Sequence, residues 1–259
     1  MMSLCGRGKE YTERIHWIRQ VPWNELRIVR AGVIPYVIIN NHIFLCLGVD
    51  KKSKDLTDFA GGIRDADGTA LAGAIREFRE ESKDVFGEEN YREENYIDSL
   101  CLIKRIPFKD RNDSYHMMIV FHEVDESYLS SAMDDFSRTD ITCKDEVSAI
   151  AWFSENMFKQ LVYTPESTRM YNKVKKFIAN SISYNRLMYF LKLRGSLKRN
   201  NPGFGESLIL KAPTASIDSS PWFEEPNRES SCYFKRRRAT EYVRPRFNLS
   251  SYNLRGGGV

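Results

Sequence analysis

Residues 75–82 read IREFREES, and on any helix that contains them Glu77, Glu80 and Glu81 share one face. Side chains three and four positions apart are helix neighbours, and like charges there cost roughly 0.2–0.5 kcal/mol per pair. The surrounding residues do call for a helix. Leu71, Ala74, Ile75 and Phe78 recur at i, i+3, i+4, i+7, which gives one buried stripe. Thr69 is an N-cap residue, so the pattern predicts a helix over residues 69–82, with Gly73 as its weak position. A divalent cation would turn the repulsion into attraction, because Mg²⁺ prefers carboxylate oxygens and also binds substrate phosphates. The alternative is a solvated acidic face whose repulsion Arg76 and Arg79 relieve.

The flanks read as sheet. GVIPYVIIN (residues 32–40) is a β-branched strand, with Pro35 expected at an edge or a bulge. A turn at Asn41-His42 leads to a second strand over residues 43–49. Residues 56–63, ending in a glycine pair, are extended. Residues 99–108 and 115–124 form two further strands around the turn KDRNDS, and residues 149–153 form another. Helices are expected from Ser154 and over much of residues 167–194.

The five cysteines are scattered, odd in number and without a CxxC pair, which argues against a disulfide framework or a structural zinc site. Reduced thiols imply an intracellular, cytoplasmic protein, with the nucleus as the alternative compartment. Polar residues and Pro35 interrupt the longest apolar run, so neither a membrane span nor a membrane partner is expected. Charge is uneven. Residues 195–259 hold 11 Lys/Arg against 6 Asp/Glu, while the rest of the chain is balanced at 28 against 29. The pattern predicts a basic, disordered tail after residue 194, containing FKRRRATEYVRPRF (residues 234–247). Arginines interleaved with aromatics suit RNA, through phosphate attraction and base stacking. A solubilising or localisation tail is the rival reading.

Gly62, thirteen intervening residues, and then Arg76-Glu77-Phe78-Arg79-Glu80-Glu81 resemble the Nudix box, G-x5-E-x7-R-E-U-x-E-E-x-G-U with U apolar. The R-E-U-x-E-E half alone would arise by chance in roughly one chain of this length per thousand. The chain departs from the pattern at Gly68 in place of glutamate, Lys83 in place of glycine, and Asp84 in place of an apolar residue. With lysine at position 83, the helix is expected to run on through KDVF to Gly87.

The resemblance implies an α+β fold, a mixed β-sheet sandwiched between helices. It implies an N-terminal extension over residues 1–24, the hydrolase domain over 25–194 and the tail over 195–259. It further implies cleavage of a phosphoanhydride bond in a nucleoside diphosphate linked to another group, with Mg²⁺ or Mn²⁺ as cofactor. Glu77, Glu80, Glu81 and the Gly61 carbonyl would hold the metal, and Arg76 would orient a box glutamate. Glu146, six residues before Trp152, is a candidate base on a loop over the site, with Asp145 its nearest rival. Oligomeric state is not legible. Phe59 and Trp152 are read as core aromatics before base-stacking ones, and His116 and His122 as structural or surface residues before metal ligands. Two other functions fit the residues: an mRNA-decapping hydrolase that binds RNA through the tail, and a non-catalytic binding or regulatory module.

Overall fold

The computed structural model describes residues 13–107, 114–163, 170, 174, 178 and 181–200. The chain divides into two units, Met1–Lys211 and Ala212–Val259, and every described residue lies in the first. The basic segment over residues 234–247 and the turn KDRNDS therefore lie outside the described residues, apart from Ser114 at the turn's end.

Among the described residues eight strands form one mixed sheet. They are β1 (Glu13–Trp17), β2 (Ile28–Ile39), β3 (His42–Asp50), β4 (Leu56–Thr57), β5 (Phe59–Gly62), β6 (Leu100–Pro107), β7 (Ser114–Glu123) and β8 (Val147–Ser154). The main order is β1-β6-β7-β2-β3-β4, with β5 paired to β2 and β8 paired to β3. The β2–β7 pairing is parallel and the others are antiparallel. Among the described residues four α-helices cover the sheet: α1 (Ala70–Ser82), α2 (Tyr128–Ser137), α3 (Glu155–Tyr163) and α4 (Ser181–Asn200).

The strand period of two explains how both faces are buried. Along β6 and β7, Cys101, Ile103, Met118 and Val120 join the core under α1 and α2. The alternate residues Leu100, Leu102, Met117, Ile119 and Phe121 join a second core with Phe158 of α3 and Leu187 and Leu191 of α4. The fold is thus α+β, a mixed sheet between helices, as the sequence predicts.

The sheet forks at β2. Its N-terminal half pairs with β5, from Arg30↔Gly62 to Val33↔Phe59. Its C-terminal half pairs with β3, from Tyr36↔Leu45 onward. Pro35 falls between these two partners, in a central strand rather than at the expected edge or bulge; the irregularity in β2 lies at Ile28/Arg30. A residue without an N–H is accommodated there because neither partner strand is paired with it on that side. The β2–β3 turn also differs from expectation. Asn40 and Asn41, with φ of 49° and 65°, make it, one residue earlier than predicted. Two consecutive left-handed residues fit a tight hairpin, and asparagine tolerates that conformation.

Gly32 permits the fork. A Cβ there would stand 2.7 Å from Phe59 O and 2.8 Å from Ala60 Cα, both backbone atoms of the paired strand. Gly32→Ala is expected to lower stability by about 1–3 kcal/mol. Urea denaturation checks this, and an unchanged midpoint would show that β5 can move off β2 freely.

Candidate functional site

Helix α1 starts where the sequence places it. Thr69 Oγ1 accepts from Ala72 N at 2.9 Å, and Leu71, Ala74, Ile75 and Phe78 are buried. Phe78 packs on Phe59 with ring centroids 5.5 Å apart, which seats the helix on the fork. Gly73 is more than a weak point, since a side chain there would press on Ile63 Cδ1 at 2.7 Å and Asp67 Oδ2 at 2.8 Å. Its bareness lets the loop from β5 close down on the helix.

That closure delivers Asp67 to Arg76. Arg76 donates to Asp67 at 2.7 and 3.1 Å, to Glu77 Oε1 at 2.6 Å, to Glu80 Oε2 at 3.3 Å and to Gly62 O at 3.1 Å. The Arg76 guanidinium holds the Asp67 carboxyl below its ordinary range, aided by the Arg64 amide. Asp67 stands one residue before Gly68 and supplies the acidic partner that the box pattern lacks here. Arg64 adds looser ion pairs to Glu77 at 3.9 Å and Glu80 at 3.7 Å.

Glu81 is placed differently. It accepts from Ala60 N at 2.8 Å, and no arginine is paired with it among the described ion pairs. Burial, then the charge of Asp58, push its carboxyl up from 4.5 to about 9, with Glu77 and Glu146 adding to the shift. Asp58 is itself buried and held by both terminal nitrogens of Arg30, at 2.9 and 2.6 Å. Glu81 would therefore carry a proton at neutral pH, unless a cation replaced that proton.

The helix ends at Ser82 rather than at Gly87. Lys83 takes the left-handed cap conformation, with φ 58° and ψ 40°, and its N–H bonds to Arg79 O. Asp84 follows at φ 60° and accepts from Arg79 Nε at 2.6 Å. The Lys83 ammonium pairs with Asp145. The loop over residues 142–146 thereby reaches the carboxylate face. Together they line an open cleft of about 700 Å³, whose walls include Gly61, Gly62, Arg64, Glu77, Glu80, Glu81, Lys83 and Glu146.

Every residue predicted for the site is thus at or beside one cleft. Glu77, Glu80, Glu81, Gly61 and Glu146 line it, and Arg76 braces two of the glutamates. A Cβ at Gly61 would overlap the Glu77 carboxylate, so this glycine is the cradle in which Glu77 lies. Carboxylates and a backbone carbonyl are the donors that Mg²⁺ or Mn²⁺ takes, and Glu81, which has no arginine partner among the described ion pairs, would exchange its proton for such an ion. Among the described residues no three His, Cys, Asp or Glu side chains already converge on one coordination point. Arg76 and Arg64 stand between Glu77 and Glu80 instead.

Sequence reasoning missed Asp58, Asp67 and the Lys83–Asp145 pair. Only Asp67 left a signal, an acid one position from where the pattern asks for one. Phe59 and His122 are placed as read, while Trp152 is half-buried against the core and His116 is half-buried on β7. Phe59 is core, and Trp152 packs edge-on against Phe86 with ring centroids 6.2 Å apart. His122 stacks on Tyr96 and shares hydrogen bonds with Ser99 and Asn90, away from the cleft lining. Cys46, Cys101 and Cys143 are free thiols. Among the described residues no helix is long and apolar enough to cross a membrane.

No protein-family model and no curated protein matches the chain. Solved structures similar to it include an Ap4A hydrolase of C. elegans in a binary complex, at 13% identity and TM-score 0.38, covering 65% of this chain and 99% of that one. A Listeria monocytogenes protein described as a NUDIX hydrolase matches at 18% and 0.37, covering 67% and 96%. A NUDIX-family hydrolase of Clostridium perfringens matches at 10% and 0.33, covering 64% and 98%. Likeness at these values leaves the chemistry to be argued from the residues.

The raised Glu81 carboxyl sets a pH dependence. In the metal-free protein the folded state holds a proton that the unfolded chain releases above about pH 4.5. The stability due to this group is therefore complete below about pH 4.5 and is lost as pH climbs towards 9. Relative to Glu81→Gln, wild type should lose up to about 1.4 kcal/mol per pH unit between pH 5 and 9. Urea midpoints in chelator measure this, and a constant difference would mean that Glu81 is ionised throughout.

Proposed function

We propose that the protein is a Nudix-type hydrolase, dependent on Mg²⁺ or Mn²⁺, that cleaves a phosphoanhydride bond in a nucleoside diphosphate linked to another group. The observation that carries the reading is the convergence of Glu77, Glu80, Glu81 and Glu146 on one cleft with Gly61 and Arg64. When bound, the metal supplies neutralisation of the pyrophosphate and a water of lowered pKa. The chain's residues do the rest. Glu77, Glu80 and Glu81, with the Gly61 carbonyl, hold the ion. Arg76 orients Glu77 and Glu80, and Asp67 orients Arg76. Arg64, 59% exposed at the mouth, is free to swing from the glutamates to a substrate phosphate. Glu146 takes the proton from the attacking water.

A second, more apolar cleft of about 920 Å³ shares Ile63 and Arg64 with the first and includes Trp23, Leu26 and Ile97. It offers room for the organic part of such a substrate beside the phosphate site. The substrate classes in view are nucleotide sugars, dinucleoside polyphosphates and damaged nucleotides. Capped RNA rests on composition, that of the basic tail with residues 234–247 and that of the Lys/Arg-bearing segment over residues 173–194.

Product release should be followed from ADP-ribose, diadenosine tetraphosphate, 8-oxo-dGTP and a capped RNA, with each metal. At least one substrate should turn over, and Glu80→Gln combined with Glu81→Gln should lower that rate by roughly a hundredfold or more. Preference for capped RNA, lost on deletion of residues 201–259, would select the decapping reading. Absence of turnover on all four, or turnover indifferent to the double change, would favour a binding module.

A further inference from the structure

Lys83 occupies a backbone position that disfavours it. Its φ of 58° lies in the left-handed region, where glycine is the least strained residue. The side chain gives the position a purpose. Its ammonium pairs with Asp145 across 62 positions of sequence, and the two side chains are only 22% and 14% exposed. The other Asp145 oxygen accepts from Thr142 N at 2.5 Å, which folds the loop back on itself.

The same loop is fastened on its opposite flank by Lys51. Lys51 N donates to Glu146 O at 2.7 Å, and Lys51 Nζ donates to Thr142 O at 2.6 Å. One lysine from the end of α1 and one from the turn after β3 thus grip residues 142–146 from two sides. Glu146 lies inside that grip and lines the cleft with Glu77 and Glu81. Its charge acts on Glu81. Asp145 also lines the cleft, but both of its oxygens are engaged, one by Lys83 and the other by the Thr142 amide, and these partners hold its carboxyl well below the usual range, so Glu146 is the freer acceptor of the two.

We propose that Lys83 is a positioning residue whose ion pair with Asp145 holds the loop over residues 142–146 so that the Glu146 carboxylate stands over the glutamate face. The role in turnover rests on the hydrolase reading; the placement of the loop does not.

Lys83→Gly separates positioning from stability, because glycine suits the left-handed backbone while removing the ammonium. Lys83→Met and Asp145→Asn, singly and together, complete a cycle. Three quantities are read from the full-length protein: thermal midpoint, amide hydrogen exchange over residues 142–147, and kcat and KM on the best substrate of the four. Lys83→Gly should keep or raise the midpoint and speed exchange in the loop by roughly tenfold. It should lower kcat roughly ten- to a hundredfold, with KM changed less than about twofold. The Met–Asn double change should cost no more than either single one. Exchange left as in wild type would overturn the proposal, whether or not the protein turns over. Faster exchange with unaltered kcat would overturn the catalytic role. A raised KM with unaltered exchange would instead make Lys83 a direct phosphate ligand. Absence of turnover in wild type would sink the hydrolase reading while leaving the exchange arm to decide the loop.

Discussion

Crowded negative charge at the junction of α1 and β5 is the constraint on which the site depends. Asp58, Asp67, Glu77, Glu80 and Glu81 gather there, and Arg30, Arg64 and Arg76 answer four of them. Arg76 is the hinge of this balance, since one guanidinium serves two carboxylates on its own helix, a third on the loop and a backbone carbonyl. A planar fork with five donors can do this, and a lysine could not. The one carboxylate left over is Glu81, and its burial makes the shortfall costly. A protein built for stability alone would place an uncharged residue there. Keeping a half-buried glutamate beside Asp58 fits the proposed hydrolase, in which a dication would supply the missing charge.

Small residues make that crowding possible. Gly32 lets β5 approach β2, Gly61 gives Glu77 its cradle, and Gly73 admits Ile63 and Asp67 against the helix. The fork in the sheet, centred on Pro35, opens the space into which β4 and β5 bring Asp58, Ala60 and Gly61. Fold and site are therefore linked: where β2 changes partners, β5 brings the Ala60 amide to Glu81 and Gly61 to Glu77.

Much of this was legible in the residues. Helix α1 can be read because its cap, its apolar stripe and its acidic face agree, and β2, β3, β6 and β7 can be read from their apolar, β-branched runs, whereas β1 (Glu13–Trp17), which falls within the expected N-terminal extension, carries no such signal. The glutamates, Gly61 and Glu146 were all picked out, and all line one cleft. What escaped was tertiary. Helix α2 buries only Ala132 and Phe136 among its ten residues, too thin a stripe to register. The pairs Arg30–Asp58, Asp67–Arg76 and Lys83–Asp145 join positions that no periodicity links. The end of α1 departs from expectation for the same reason. Propensity says that a lysine continues a helix, but Arg79 holding Asp84, and Asp145 holding Lys83, stop it at Ser82.

The central claim is that Glu81 is short of a positive charge that a divalent metal supplies. Electron paramagnetic resonance of Mn²⁺ added to the chelator-treated protein at pH 7.5 tests it directly. The account predicts that wild type removes free Mn²⁺ from the signal and that Glu77→Gln with Glu81→Gln does not. Free Mn²⁺ undiminished by wild type, or equally diminished by both proteins, would contradict it.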